Sequence, residues 1–212
     1  MRAVAHVSVA RAEVRGRRLA RHSACVLAGG SACAVASARG WPRLFAPCLD
    51  AALGGFATRI ESRKGTPSER LDEALTAARD ALAAYLDSLV EGVLPDVAMA
   101  AFVLGEGTLH AARAGGGRVY VHRRGKTTRL TPRDEPGGGL LTASIDHAET
   151  KLESGDLILA GSSSAFSAQA VEQASEAVRK DASVPPSVLA NLLTDPTAQA
   201  AVGAVALAAR VR

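Results

Sequence analysis

The residues of this chain that could carry out chemistry include a run of serines, several histidines and scattered acids. Ser162–Ser164 could supply a nucleophile, with His22 or His147 as its base. However, Ala165 follows the run, so the Gly-x-Ser-x-Gly turn that exposes the nucleophile of many hydrolases is absent. The sequence therefore argues against a serine hydrolase.

The glycine-rich segment Gly115-Gly116-Gly117-Arg118 is a second candidate. It separates two strand-like runs, Thr108–Ala112 and Arg118–His122. A phosphate-binding loop would continue with a lysine and a serine or threonine, and none follows at that spacing. Taken alone, three glycines before an arginine predict a tight hairpin turn with a permissive backbone.

Acidic side chains are the third candidate, because carboxylates bind hard divalent cations. Asp134-Glu135, Asp146 and Glu149 could gather around the glycine-rich segment, while Asp50 and Asp195 lie elsewhere. Asp146-His147 could also be drawn as a catalytic pair. Acids in loops are also ordinary solvated groups, and Asp195 precedes a proline, a pair that often begins a turn. The residues alone leave both interpretations open.

Composition indicates one folded domain over residues 1–212, because 48% of the 212 residues are hydrophobic. Aromatic residues make up only 3%, so Ala, Val and Leu must form the core. The net charge is +4, and an early group of arginines suits phosphate or an acidic partner (Arg11, Arg15, Arg17, Arg18, Arg21). No nucleic-acid motif or stacking aromatic accompanies them, so we expect no nucleic-acid partner.

The cysteines and the chain start indicate the compartment. Cys25, Cys33 and Cys48 show no Cys-x-x-Cys spacing, which predicts buried free thiols rather than disulfides or a zinc site. No signal peptide is evident, and no apolar run reaches the length of a membrane span. We therefore expect a cytoplasmic protein without a membrane partner.

The first part of the chain reads as short strands. Val4–Val9 alternates in polarity, and Ser23–Leu27 and Ser31–Ala36 flank a glycine pair, which predicts a hairpin. Leu44–Ala46 predicts a further short strand, which ends at Pro47.

A helix over Ser68–Leu89 follows, because Thr66, Pro67 and Glu69 form a start signal with a capping box. The pattern then predicts an antiparallel meander (Val97–Leu104, Thr108–Ala112, Arg118–His122, Lys126–Leu130). The remaining predicted elements are two strands, two helices and a last strand (Lys151-Leu152, Asp156–Ala160, Ser167–Lys180, Ser187–Leu193, Val202–Ala208). This order indicates an α+β class.

The element order and a series of motifs resemble the metal-dependent protein phosphatases of the 2C type. The family motif Arg-x-x-Asn-Glu-Asp-Ala fits residues 18–24, with Ser23 at the Asp position. The family motif Asp-Gly-Met-Gly-Gly, which follows an apolar strand, fits residues 51–55, with Ala51 at the Asp position. Gly-Asp-Ser-Arg fits Gly115–Arg118, where Gly116 and Gly117 replace Asp and Ser.

Later motifs continue the resemblance in the same order. Leu-Thr-x-Asp-His corresponds to residues 130–135, and the phrase Gly-Asp-x-Leu-Leu-Leu-x-Ser-Asp-Gly begins at Gly155-Asp156. Within that phrase, Ser162 takes the position of a metal-binding Asp. The closing Asp-Asn-x-Thr has become residues 200–203, with Ala200 at the acidic position.

The resemblance implies a four-layer α-β-β-α sandwich, in which two antiparallel sheets pack face to face and helices flank them. Family enzymes hold two divalent cations through carboxylates, and those cations activate the attacking water. All matching acids are missing here (Ser23, Ala51, Gly116, Ser162, Ala200). The resemblance thus implies a pseudophosphatase with no catalytic residues, no metal and no other cofactor.

A binding role follows from the same resemblance. Arg18 matches the family arginine that receives substrate phosphate, and Arg21 lies beside it in sequence, so both are candidates for phosphate or partner binding. The expected activity is protein binding or scaffolding in bacterial Ser/Thr phosphorylation signalling, with a phosphoprotein or a Ser/Thr kinase as partner.

Two alternatives remain open at this stage. One is an active phosphatase that binds Mn or Mg through relocated ligands (Asp50, Asp134, Asp146, Asp195). The other is a structural subunit of a larger assembly. The second alternative predicts exposed Leu or Val on the helix Ser68–Leu89.

Overall fold

The structure, a computed structural model, describes residues 7–14, 21–62, 64–89, 95–132, 138–198 and 202–212. Its strands and α-helices are β1 (Val7–Val14), β2 (His22–Leu27), β3 (Ala32–Arg39), α1 (Phe45–Glu61), α2 (Pro67–Asp87), β4 (Asp96–Gly105), β5 (Thr108–Ala114), β6 (Arg118–Arg123), β7 (Lys126–Arg129), β8 (Ile145–Lys151), β9 (Leu157–Gly161), α3 (Ala168–Lys180), α4 (Pro186–Thr194) and β10 (Ala204–Val211). No helix in the described ranges is both long and apolar enough to span a bilayer.

The strands form two antiparallel five-stranded sheets. The β9 sheet has the order β1-β10-β9-β6-β7, and the β4 sheet has the order β2-β3-β4-β5-β8. One hydrophobic cluster lies between the sheets, a second joins α1 and α2 to the β4 sheet, and a third joins α3 and α4 to the β9 sheet. The predicted four-layer α-β-β-α sandwich is confirmed.

The central strands are buried on both faces. In β4, Met99 packs with α1 and α2, whereas Phe102 packs between the sheets. In β10, Ala206 packs with α3 and α4, whereas Leu207 faces the other sheet. Because neither face of these strands meets solvent, their sequences read as continuous apolar runs rather than as alternating patterns.

The predicted helix after Thr66 is confirmed as α2. The Thr66 hydroxyl accepts a hydrogen bond from the Glu69 backbone N–H, and the Glu69 carboxylate accepts one from the Thr66 N–H, so the capping box is complete. The predicted hairpin of β2 and β3 is confirmed as well. Cys33 and Cys48 are buried free thiols, and Cys25 is a half-buried one.

The predicted short strand at Leu44–Ala46 is wrong, because α1 begins at Phe45 and runs to Glu61. Pro47 lies in the first turn of that helix, where a backbone N–H has no intrahelical acceptor, so the proline does not interrupt it. Gly55 permits close helix packing, since a Cβ there would lie 2.5 Å from the Ala77 carbonyl oxygen of α2.

The predicted meander is wrong at the glycine-rich segment. β4 pairs with β5, and β6 pairs with β7, but β5 and β6 belong to different sheets. Gly115–Gly117 is therefore a sheet crossover rather than a hairpin turn. The reason is that β5 pairs with β8 instead, and β6 pairs with β9.

Several boundaries and one strand also differ from the sequence predictions. The prediction included only the last residue of β8. This edge strand carries many polar side chains, so its sequence lacks the apolar pattern that indicates a strand. The first strand extends to Val14, beyond the predicted Val4–Val9, of which residues 4–6 lie outside the described ranges. The last strand begins at Ala204 and ends at Val211.

The sheet crossover yields a stability test. Gly115 has a φ of +73°, and a Cβ there would lie 1.9 Å from the Gly138 carbonyl oxygen. Gly107, in the β4–β5 turn, also has a φ of +73°, but nothing lies within 4 Å of a Cβ there. We expect Gly107→Ala to cost about 1–2 kcal/mol of unfolding free energy for backbone strain alone. We expect Gly115→Ala to cost about 1–3 kcal/mol more, because of the clash.

Urea unfolding of both variants under one set of conditions measures the difference. Equal losses at the two positions would contradict the packing described for the crossover.

Candidate functional site

A small cavity lies where strand ends of both sheets meet. We call it the cleft. Its cavity is about 130 Å³, and it is lined by Arg21, His22, Ser37, Arg39, Ala98, Gly116, Ser162, Ser163, Ser164 and Val202. These residues come from the start of β2, the end of β3, the start of β4, the sheet crossover, the segment after β9 and the approach to β10. A larger groove of about 960 Å³ lies by the start of α2 and the β4–β5 turn, away from these strand ends.

The serines after β9 form a closed hydrogen-bond network. Ser164 donates its only hydroxyl proton to the Gly203 carbonyl, with 2.8 Å between the oxygens. The Ser162 hydroxyl, 2.9 Å from that of Ser164, therefore donates to it. The Ser162 oxygen accepts from the Val205 backbone N–H. Ser162 thus ties β9 to β10, and its proton is directed at Ser164 rather than at a histidine base.

His22 is a neutral structural residue in the cleft wall. Its Nε2 lies 3.2 Å from the Val202 carbonyl, which can only accept, so Nε2 carries the proton. Its Nδ1 then accepts from the Ser37 hydroxyl at 2.8 Å. Burial lowers the pKa of His22, and Arg21 lowers it further, although the Val202 carbonyl acts in the opposite direction.

Two arginines face the cleft close together. The Arg21 Nε donates to the Ala38 carbonyl at 2.8 Å, which leaves its terminal nitrogens for other partners. Burial lowers the pKa of Arg21, and the like charge of Arg39 lowers it further. Among the residues that the structure describes, none forms an ion pair or side-chain hydrogen bond with the Arg39 guanidinium. The cleft therefore carries concentrated positive charge.

Gly116 determines how much room the cleft has. A Cβ at this position would lie 3.1 Å from Arg39 Nη2 and 3.2 Å from Ser163 Oγ. Ser163 Oγ accepts from the Gly117 backbone N–H, so its own proton remains available for a ligand. The missing side chain thus leaves a space that borders a guanidinium group and a hydroxyl donor.

The structure brings together six of the residues singled out from the sequence, namely Arg21, His22, Gly116 and the three serines Ser162–Ser164. Ser23 does not line the cleft, because it alternates with His22 along β2 and shares the helix-side face with Cys25. Arg18 and Ala200 lie outside the described residues.

Ala51 does not lie in the cleft, and its assignment there was wrong. The assignment required a strand at Leu44–Ala46, but that segment belongs to α1, where Ala51 is half-buried. The strand that ends at the cleft is β3, which contributes Ser37 and Arg39. A usable signal was present in the sequence, because the predicted strand Ser31–Ala36 runs directly into these two residues.

The acids considered as metal ligands are dispersed. Asp146 pairs with the buried Arg113 at 2.9 Å, and His147 lies 3.2 Å from Asp72, so Asp146-His147 is not a catalytic pair. Asp50 and Asp195 are exposed on α1 and after α4, respectively. Asp134 and Glu135 are outside the described ranges.

The donor set does not fit a pair of divalent cations. Within the described part of the chain, no three His, Cys, Asp or Glu residues converge to hold a metal ion. The cleft offers hydroxyl groups, a neutral imidazole and two guanidinium groups, whereas hard cations require anionic oxygens. Glu149, which was expected near the glycine-rich segment, instead lies 3.4 Å from His110.

Comparison with known proteins supports the fold. No protein-family model matches the sequence, and no curated protein is significantly similar to it. The structure is similar to PppA, a key regulatory component of type VI secretion in Pseudomonas aeruginosa, with a TM-score of 0.82, 15% identity and 99% of each chain covered. It is also similar to the serine/threonine phosphatase PstP/Ppp of Mycobacterium tuberculosis, with a TM-score of 0.77, 18% identity and coverage of 97% of this chain and 99% of that one.

A PstP catalytic domain in complex with two manganese ions gives a TM-score of 0.77 at 19% identity, with 97% of this chain and 98% of that one covered. At these identities, the similarity establishes a shared fold. The fold is that of the bacterial 2C-type phosphatases.

His22 yields a pH prediction. Because folding lowers its pKa, the unfolded chain binds a proton first as the pH falls below about 6.5. The stability from His22 is therefore complete above that pH and is lost as the pH falls toward the folded-state pKa. We expect the unfolding free energy of the wild type to fall more steeply between pH 7 and 5 than that of His22→Gln.

Urea titrations across this pH range measure both slopes. His122, whose pKa is lowered by burial and then by Arg210, contributes to both proteins equally, so the difference isolates His22. Parallel slopes would show that His22 titrates alike in the folded and unfolded states.

Proposed function

We propose that this chain is a non-catalytic relative of the metal-dependent 2C-type phosphatases and acts by binding a protein partner. The observation that carries the proposal is the pair of arginines, Arg21 and Arg39, at the strand ends that form the cleft. Positive side chains repel divalent cations, so the cleft opposes metal binding as well as lacking ligands for it.

The binding role is scaffolding or docking in Ser/Thr phosphorylation signalling, with a phosphoprotein or a Ser/Thr kinase as the partner. The fold supports this setting, because solved bacterial proteins of the same fold include serine/threonine phosphatases and a regulatory component of type VI secretion. Arg21 is the residue singled out from the sequence that remains a candidate contact in the described cleft.

An active phosphatase with relocated ligands is the main alternative. It would need Asp50, Asp134, Asp146 and Asp195 to converge on one cation. The described members of this set do not favour it, because Asp146 neutralises the buried Arg113 and the other two are exposed on separate elements.

A purely structural subunit is the other alternative. It predicts exposed Leu or Val on α2, and the structure does not show them there. The large apolar residues Leu71, Leu75, Leu82 and Leu86 of this helix are all buried in the core. No Leu or Val of α2 is left exposed for a partner to cover.

The proposal predicts no phosphatase activity. Purified protein with millimolar manganese or magnesium should hydrolyse an aryl phosphate no faster than the same protein in EDTA. Neither metal should raise its melting temperature, because a ligand stabilises a fold only when it binds the folded state.

The controls are Asp50→Asn and Asp146→Asn, which remove members of the alternative ligand set. Metal-dependent turnover that either substitution abolishes would contradict the proposal and support the alternative. Co-purification of the chain from its native cell, followed by mass spectrometry, tests the binding role, which requires a specific protein partner.

A further inference from the structure

The cleft has the composition of an anion site rather than a vacated cation site. Two guanidinium groups, from Arg21 and Arg39, face the same cavity as the hydroxyl of Ser163. Guanidinium groups form strong charge-assisted hydrogen bonds with phosphate and carboxylate oxygens. Arg21 lies directly before β2, Arg39 ends β3 and Ser163 follows β9, so the three side chains reach the cavity from both sheets.

Nearby acids do not neutralise this charge. Glu13 on β1 is near enough to His22 to raise its pKa slightly, but it is ion-paired with Arg11 at 2.5 Å. Asp96, opposite Arg39 in the β3–β4 register, turns its carboxylate toward the backbone N–H of Leu141 and the hydroxyl of Thr142. Among the described acids, none lines the cleft, so a ligand of negative charge would relieve the repulsion between the two arginines.

The cleft has room for a small anion. A water molecule in the liquid occupies about 30 Å³, so a cavity of about 130 Å³ has space for a group about the size of four waters. A tetrahedral oxyanion, with four oxygens around one central atom, fits this volume. The space beside Gly116 is where such a group would meet both Arg39 and Ser163.

We propose that the cleft binds a phosphate-type dianion directly between Arg21 and Arg39, without a metal ion. The inference rests on the proposed function, because a metal-loaded cleft would reach phosphate through its cations. Ser163 donates a hydrogen bond to the bound group, and Gly116 leaves the room for it. The remaining cleft residues keep their present partners, since Ser162 is bonded to Ser164 and His22 to Val202.

Calorimetric titration in EDTA at pH 7.5 and low salt tests this inference. The probes are orthophosphate, a phosphoserine peptide and the same peptide without phosphate; phosphate groups are largely dianionic at this pH. We expect orthophosphate or the phosphopeptide to bind at one site, and the unmodified peptide not to bind. Binding of the phosphopeptide would show that the ligand is a phosphorylated protein. Binding of orthophosphate alone would show that the ligand is the free anion.

Three variants locate the site. Arg39→Gln removes one guanidinium group, and Gly116→Asp places a carboxylate beside it, so each should weaken binding at least about tenfold, the effect of losing one charge-assisted hydrogen bond. Arg43→Gln is the matched control, because Arg43 is exposed and stacks on Trp41 at 4.8 Å. It should change the affinity less than about twofold.

Thermal unfolding of each variant checks that it folds. If Arg39→Gln does not fold, Gly116→Asp still tests the inference. The absence of binding by both phosphate probes would overturn the inference, as would an equal loss in Arg43→Gln and Arg39→Gln. Either result would leave the proposed lack of phosphatase activity standing, because that is measured separately with added metal. Conversely, metal-dependent turnover would refute the proposed function whatever the result in EDTA.

Discussion

Both faces of the central strands of each sheet must be kept from water, and this constraint governs the rest of the structure. Strands such as β4 and β10 pack against a sheet on one side and helices on the other, so they have almost no position for a polar side chain. Alanine and valine dominate these strands, which lets four layers pack closely with few aromatic residues. The charged residues of β4 and β10, Asp96 and Arg210, consequently lie near strand ends, and the cleft lies at strand ends as well.

The strand ends at the cleft are joined by neutral hydrogen bonds. His22 links β2 to Ser37 of β3 and to the approach to β10, and Ser162 links β9 to β10. Such bonds satisfy buried polar groups without any ion, whereas converging carboxylates would repel one another until a cation arrived. The cleft is therefore assembled by the chain itself, and its arginines add charge at the rim of that network.

Much of the fold could be predicted from the sequence because local signals were strong. The capping box set the start of α2, and the glycine pair set the β2–β3 hairpin. The crossover at Gly115–Gly117 could not be predicted, because a hairpin and a sheet change use the same glycines and differ only in distant pairing partners. The error at Ala51 arose likewise, since a short apolar run before a proline fits a strand end or a helix start. Arg39 was missed although the predicted strand Ser31–Ala36 leads to it, because the prediction assigned the apolar run at Leu44–Ala46 to the strand that ends at the site.

The open position at Gly116 limits how this chain could acquire a metal centre. An acidic residue introduced there would place its carboxylate beside Arg39, where it would form an internal ion pair before it could attract a cation. A metal centre at the cleft would thus require the arginine and the acid to change together, with further ligands after them. No single substitution would reverse the charge of the cleft.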